Sequence, residues 1–507
     1  NALSPVHRLP ADVVIEIFRL LGYRNRVRAS QAFTRWRDVA LAEPSLWNVI
    51  KLTREEHVDR LHELASRSKG APLHVTLSRD YGGPDTARHL LAMYASRLAT
   101  FHCVLPDFAS EDPLAWQRDD TTRPAEFYIP HCELLADLLV SSGGGKLHVH
   151  LDNTRLPRLK KLSLWGVANM VELLENLSTP TSISFSIQQA EEENRLSLHA
   201  LDSLINRCIG LRDISVRGVG DDSMTFDPLP PSTRPSRLLE SLFLGPTHLP
   251  HESVLRLLDC IRAKDIMVQD EYGRGLHGMS PDAAEQLASI FLDLQEPIAV
   301  TIVPAVVHKP PYRRTTRTPW DDMAGFVIVA SDDRGFRREI GGITDPRSVL
   351  EVSKLSDKVQ RLECSVRVWF NRLATAPSPM NPNPTRLLFP QLLHLTLRYD
   401  EDPNLSTPIR MPSSPMLRSL ILYDQKTPPR TLRAEEVDNF VASIAGTESV
   451  LLESAEFVGP VLASTSEVAS FGRVSRVEFK TAHKIVEYVP CHHSKCFGNA
   501  TLTLQQL

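Results

Sequence analysis

A six-residue spacing, L-x-x-L-x-L, recurs along this 507-residue chain and restricts its fold more than any other feature. Leu98-Ala-Thr-Phe-His-Cys103 opens the series. It continues through Leu159…Leu162-x-Leu164, Leu211…Ile214-x-Val216, Leu239…Leu242-x-Leu244, Leu392…Leu395-x-Leu397 and Leu417…Leu420-x-Leu422. Weaker copies are Ile183-x-Phe185, Ile266-x-Val268, Val359…Leu362-x-Cys364 and Val474…Val477-x-Phe479. Alternation at period two marks a strand that buries one face. Between these strands lie helical patterns at Val171–Leu177, Leu196–Cys208, Glu252–Ile261, Pro281–Leu294 and Glu435–Ile444.

Strand and helix alternating at a loose period predict a repeat architecture. Leu211 and Leu239 are 28 residues apart and Leu392 and Leu417 are 25 apart, within the roughly 20–29 residues of a leucine-rich repeat. The expected fold class is therefore α/β, an irregular leucine-rich-repeat-like α/β solenoid over residues 51–507. Each unit would bury its strand leucines against its neighbours, none being stable alone. An ordinary α/β domain is the alternative. Insertions are expected near 221–235, which is rich in Pro and Ser, near 304–345, which begins with a basic, proline-bounded run, and near 377–384. In each strand the residues between and just after the leucines face away from the core. Aromatic and arginine side chains there are the usual anchors of an interface, which nominates Trp165, Arg217, Phe243, Arg398 and Tyr423 as contacts for a protein substrate.

Residues 1–50 form a different unit. Pro10–Leu21 reads as a helix with Val13, Val14, Ile17, Phe18 and Leu21 on one apolar stripe,. Gly22 stops it, a second helix runs from about Val27 to Phe33, a third covers Arg35–Ala42, and Pro44-Ser-Leu-Trp47 ends the unit. Three short helices are too few to bury this surface internally, so part of the stripe is expected to dock another protein. In order, the residues are Leu9-Pro10, Val14, Ile17-Phe18, Leu21, Val27-Arg-Ala-Ser30, Phe33, Arg35-Trp36-Arg37, Val39-Ala40 and Leu46-Trp47. They resemble the F-box, in the style of fungal F-box-like proteins. The chain departs from that pattern at Ala32-Phe33, where a Cys is common, and in the polar run Arg24-Asn-Arg26. A generic helical cap on the next domain is the competing reading.

The resemblance implies a three-helix F-box module that docks the Skp-type linker of a cullin–RING (SCF-type) ubiquitin ligase through Leu9, Pro10, Val14, Ile17, Phe18 and Leu21. Trp36 and Trp47 would either hold the helices together or join the interface. The repeat domain would then recruit a protein substrate for ubiquitin-dependent degradation. An F-box scaffold acting outside ubiquitin transfer is a second possibility, and an enzyme with a site near 295–345 a third.

Composition narrows the classes. A net charge of −4 and a pI near 6.6 give no bulk attraction for nucleic acid or an anionic membrane,. Seven scattered cysteines suit a reducing compartment, cytoplasmic or nuclear,. No apolar run reaches the roughly 18–20 residues of a membrane span, and a start without Met reads as trimmed. Ser141–Lys146 fails the phosphate-loop pattern, since Leu147 replaces the hydroxyl residue that would hold magnesium,. Cys491-His-His-Ser-Lys-Cys496 lacks the second ligand pair of a structural zinc site,. With no catalytic motif either, the expectation is a non-catalytic adapter with no metal and no cofactor.

Overall fold

The computed structural model describes residues 8–53, 58–78, 84–105, 125–142, 147–151, 153–186, 196–217, 224–225, 238–247, 261–270, 288–304, 325–343, 346–373, 387–399, 412–424, 431–432, 440–441, 444, 452–459, 461–462 and 477–480. The chain divides into two compact units, residues 1–250 with 259–263 and residues 251–258 with 264–507.

The first unit opens with three helices, α1 (Ala11–Leu20), α2 (Tyr23–Ala32) and α3 (Thr34–Ala42). Pro10 is the N-cap of α1 and lies just outside the helix. The second helix starts four residues before the expected Val27. Gly22, read as the stop of α1, is extended and caps α2, its carbonyl accepting from Arg26 N–H at 2.9 Å. The connection between α1 and α2 is therefore only two residues long. A 3-10 turn at Pro44–Leu46 leads without a linker into β1 (Val49–Leu52).

Strands then alternate with short helices: α4 (Val58–Arg67), β2 (Leu73–Leu77), α5 (Pro84–Tyr94), β3 (Leu98–Leu105), β4 (Ala125–Tyr128), β5 (Asp137–Ser142), β6 (Leu147–His150) and β7 (Lys161–Trp165). Next come α6 (Met170–Asn176), β8 (Ser182–Ser186), β9 (Leu196–Ser197), α7 (Leu198–Arg207), β10 (Asp213–Arg217), β11 (Met224–Thr225) and β12 (Leu238–Thr247). Pairing follows chain order, β1-β2-β3-β5-β7-β8-β10-β12, and every pair is parallel. Two-stranded parallel pairs β4–β6 and β9–β11 lie apart from this sheet. The motif leucines supply the core: Leu162, Leu164, Ile183, Phe185, Ile214, Val216, Leu242 and Leu244 are all buried. Each such side chain contributes roughly 1.5–3 kcal/mol of transfer free energy.

The starts of these strands repeat a backbone detail. The carbonyl of Ala136 accepts from both Lys160 and Lys161 N–H, that of Lys160 from Thr181 and Ser182, that of Thr181 from Arg212 and Asp213, and that of Arg212 from Glu240 and Ser241. Away from the strands, Asn169 substitutes for a strand neighbour. Its side-chain amide donates to Val149 O and accepts from Val149 N–H, both at 2.9 Å, which satisfies both backbone groups of Val149 in β6,.

The second unit contains β13 (Arg262–Asp270), shared at its first two residues with the first unit, β14 (Ile298–Pro304), β15 (Phe326–Asp332) and β16 (Arg337–Ile343). After α8 (Pro346–Val352) and α9 (Leu355–Lys358) follow β17 (Val359–Ser365), β18 (His394–Arg398), β19 (Ser419–Tyr423), β20 (Thr431–Leu432), β21 (Ser454–Val458), β22 (Val461–Leu462) and β23 (Val477–Lys480). Their order is β13-β16-β15-β14-β17-β18-β19-β21-β23, parallel except at β16–β15 and β15–β14. The stretch 304–345, expected to be an insertion, contains the hairpin β15–β16. Its turn is built on Asp332, which accepts from the N–H groups of Gln295, Arg334 and Phe336, with Gly335 at φ +82°. The doubled strand start recurs at β19, where Leu393 O accepts from Arg418 and Ser419, and at β21, where Arg418 O accepts from Glu453 and Ser454.

Several expected features lie outside the described residues: most of the insertions near 221–235 and 377–384, the run 305–324, most of the helix at 252–261, and Cys491–Cys496. Of Pro281–Leu294 the described part is a 3-10 turn at Ser289–Phe291 and its flanks. Cys103, Cys132, Cys208 and Cys364 are free and buried. Burial pushes the Cys103 thiol up to about 12 and that of Cys132 to about 11, so both behave as small apolar core groups.

Candidate docking surfaces

In the helical module, α1 has two apolar faces where the sequence suggested one stripe. At roughly 100° per residue, Val14, Phe18 and Leu21 share one arc of about 60°, and Val13, Ile17 and Leu20 share another. Val14 and Phe18 are fully buried. The Phe18 ring meets Trp36 edge-on with centroids 5.8 Å apart, and Trp36 meets Phe33 in the same manner at 5.6 Å. Val14 and Phe18 therefore form core and do not offer a docking contact in this conformation. Trp47 is buried too, its indole N–H donating to Ala40 O at 2.6 Å. Leu20 is 88 % exposed, Val13 is 42 % exposed, Pro10 is exposed, and Leu9, Ile17, Leu21 and Trp36 are half-buried. The open apolar stripe thus runs Pro10, Val13, Ile17, Leu20. Leu20 shares the face of Val13 and Ile17 and was left out of the sequence reading.

Arg26 fastens the module from within. Its guanidinium donates to Phe18 O and Leu21 O, each at 3.1 Å, and to Leu46 O. It thereby occupies carbonyls at the C-terminal end of α1, where a cation also suits the helix dipole. Burial lowers its pKa from the ordinary arginine value. The module also continues into the next elements. Arg60 of α4 lies over the Tyr23 ring at 3.6 Å, Arg67 lies over Trp47 at 5.1 Å, and Asn48 Nδ2 donates to Pro72 O at 3.0 Å.

The second kind of surface is the sheet face opposite the motif leucines. In the first unit register aligns His74, Thr100, Asp137, Lys161, Ser182 and Asp213 in one row. The row is polar, with His102 Nε2 3.1 Å from Asp137 Oδ1 and Ser241 donating to Asp213 at 2.7 Å. Trp165 is half-buried and its N–H reaches Ser184 Oγ at 3.5 Å. Arg217 ends β10, with its side chain outside the described set. Phe243, expected on the open face, is 8 % exposed and its register partner Ser215 is 4 % exposed. That end of the face is closed, so Phe243 is not an accessible anchor.

In the second unit Arg398 and Tyr423 are register partners on β18 and β19, both half-buried. Arg398 is engaged by Glu363 through bonds of 2.7 and 2.5 Å. Within the second unit Arg398 and Tyr423 are register neighbours, and within the first Trp165 and Arg217 both pair with Ser186, one on each side of β8. Among the described residues no group of three metal-ligating side chains occurs, and no helix is long and apolar enough to cross a membrane.

The chain as a whole matches no curated protein. Residues 6–53, from just before α1 to the end of β1, match the F-box-like family, and the N-terminal helical module is an F-box-like domain.

Proposed function

We propose that the chain is a substrate-recruiting adapter of an SCF-type cullin–RING ubiquitin ligase. Its F-box-like domain docks a Skp-type linker, and the strands beyond it, a leucine-rich-repeat-like array, present a protein substrate. The observation that supports this most is the apolar stripe Pro10, Val13, Ile17 and Leu20 left open on a module whose core is already closed by Val14, Phe18 and Trp47. The mechanism is proximity: a target held near the charged conjugating enzyme reacts at a raised effective concentration. On this reading the chain supplies no catalytic group.

Co-expression with a Skp-type linker followed by size-exclusion chromatography tests the docking half. Wild type co-elutes, and the double variant Val13→Glu/Leu20→Glu does not, while its thermal unfolding stays within about 1 kcal/mol of wild type, as exposed substitutions do. Retained co-elution of that variant, or a folded wild type that never binds, overturns the assignment. Reconstituted ubiquitin transfer to a bound protein then separates an adapter from a scaffold that works outside ubiquitin transfer.

A further inference from the structure

Four neighbouring strands of the second unit bring Arg361, His394, Ser419 and Ser454 into one register row. Strands lie about 4.8 Å apart, so the row spans roughly 14 Å. Every side chain in it carries a hydrogen-bond donor. Arg361 and His394 are exposed, and among the described residues neither has a hydrogen-bond or ion-pair partner. The Ser454 hydroxyl donates to that of Ser419 at 3.3 Å, leaving the Ser419 proton for another acceptor.

The neighbouring row on the same face holds the carboxylates Glu363 and Glu456. Glu363 engages Arg398, and Arg418 lies 3.5 Å from Glu453. His394 lies between Arg361 and Arg418; burial first, then these two guanidiniums, hold its pKa below the ordinary histidine value, with Glu453 opposing. Arg361 is the one permanent cation within the row itself.

We infer that this row is an anion site for a carboxylate of an acidic protein segment, with Arg361 gripping it and His394 and Ser419 completing the donors. One guanidinium matches a monoanion, and Arg pairs with a carboxylate through two parallel hydrogen bonds. A phosphomonoester, at roughly −1.5 to −2, would bring more charge than the row balances. The site gives the adapter reading a class of substrate, and its biological use rests on that reading. Its binding chemistry is testable separately.

The test uses the full chain and a blocked pentapeptide of Asp and Glu, with the matching Asn/Gln peptide, a phosphoserine peptide and inorganic phosphate as comparisons. Calorimetry gives affinity, and the His394 imidazole resonance gives its titration. The acidic peptide is expected to bind in a salt-sensitive way and to raise the His394 pKa. Arg361→Gln weakens binding at least tenfold, Arg361→Lys weakens it less, and Arg158→Gln, an exposed charge change in the first unit, leaves it unchanged. Equal binding of the Asn/Gln peptide, full binding by Arg361→Gln, or no binding by the folded chain overturns the site. Tighter binding of the phosphoserine peptide or of phosphate overturns the carboxylate assignment. Linker co-elution measured on the same variants stays intact if only this site fails.

Discussion

Asp332 shows how one carboxylate can hold a hairpin. Besides the three backbone N–H groups it accepts, its Oδ2 receives the Arg334 guanidinium at 2.8 and 3.0 Å. Burial raises the carboxyl pKa, and the hydrogen bonds from Arg334, Gln295 and Phe336 outweigh it, so the folded value lies below the ordinary one. A group with a depressed folded pKa stabilises above its unfolded value, near 3.9, and loses that contribution as pH falls through the folded value. The gap in urea midpoint between wild type and Asp332→Asn is therefore expected to be widest at pH 5–7 and to shrink towards pH 3. A constant gap across that range would mean that the turn, and not the charge, is what Asp332 supports. Sequence reading missed this residue, as it missed Arg26 and Asn169. Arg26 stands in a run of polar residues, Arg24-Asn-Arg26, that reads as solvated surface. Its three carbonyl acceptors come from residues 5 to 20 positions away, and no local pattern announces them.

At the scale of the element, α1 carries a buried face and an open apolar face on a single helix. Phe18→Ala empties a fully buried site between α1 and Trp36, and is expected to cost about 3–5 kcal/mol in denaturant unfolding. Leu20→Ala, on the open face, should change stability by no more than about 0.5 kcal/mol, and under the proposed function its effect falls on linker binding. If both variants destabilise equally, the two-face description of α1 is wrong. Elements with strong period-two leucine patterns were legible from sequence: β7, β10, β12, β18 and β19 all fall on their predicted stretches. β5 carries the same spacing in Leu135, Leu138 and Val140 and was passed over. The hairpin β15–β16 escaped for a physical reason. Its strands pair antiparallel within an otherwise parallel set, and the L-x-x-L-x-L spacing that marked the others is absent from both.

For the whole molecule, the F-box-like domain is not an independent bead. β1 pairs with β2 in register from Val49↔His74 to Leu52↔Leu77, and two arginines of α4 lie over aromatic rings of the module. A fragment ending at residue 56 would lose all of these contacts. It should show shallow, low-temperature melting by circular dichroism, whereas the whole first unit melts cooperatively; a sharp transition in the short fragment would refute this coupling. The frame beyond it has a tolerance of its own. Strand starts are 21 residues apart from β7 to β8 (161 to 182) and 31 apart from β8 to β10 (182 to 213), yet both steps keep the same register and the same single carbonyl shared by two amides. Spacer length is thus uncoupled from strand geometry. Doubling a flexible connection costs only about 0.6 kcal/mol in closure entropy, so loops at the strand ends can be lengthened, exchanged or grafted while the rows of side chains between them stay aligned. A chain built this way can change what it recognises by rewriting its spacers and leave its frame alone.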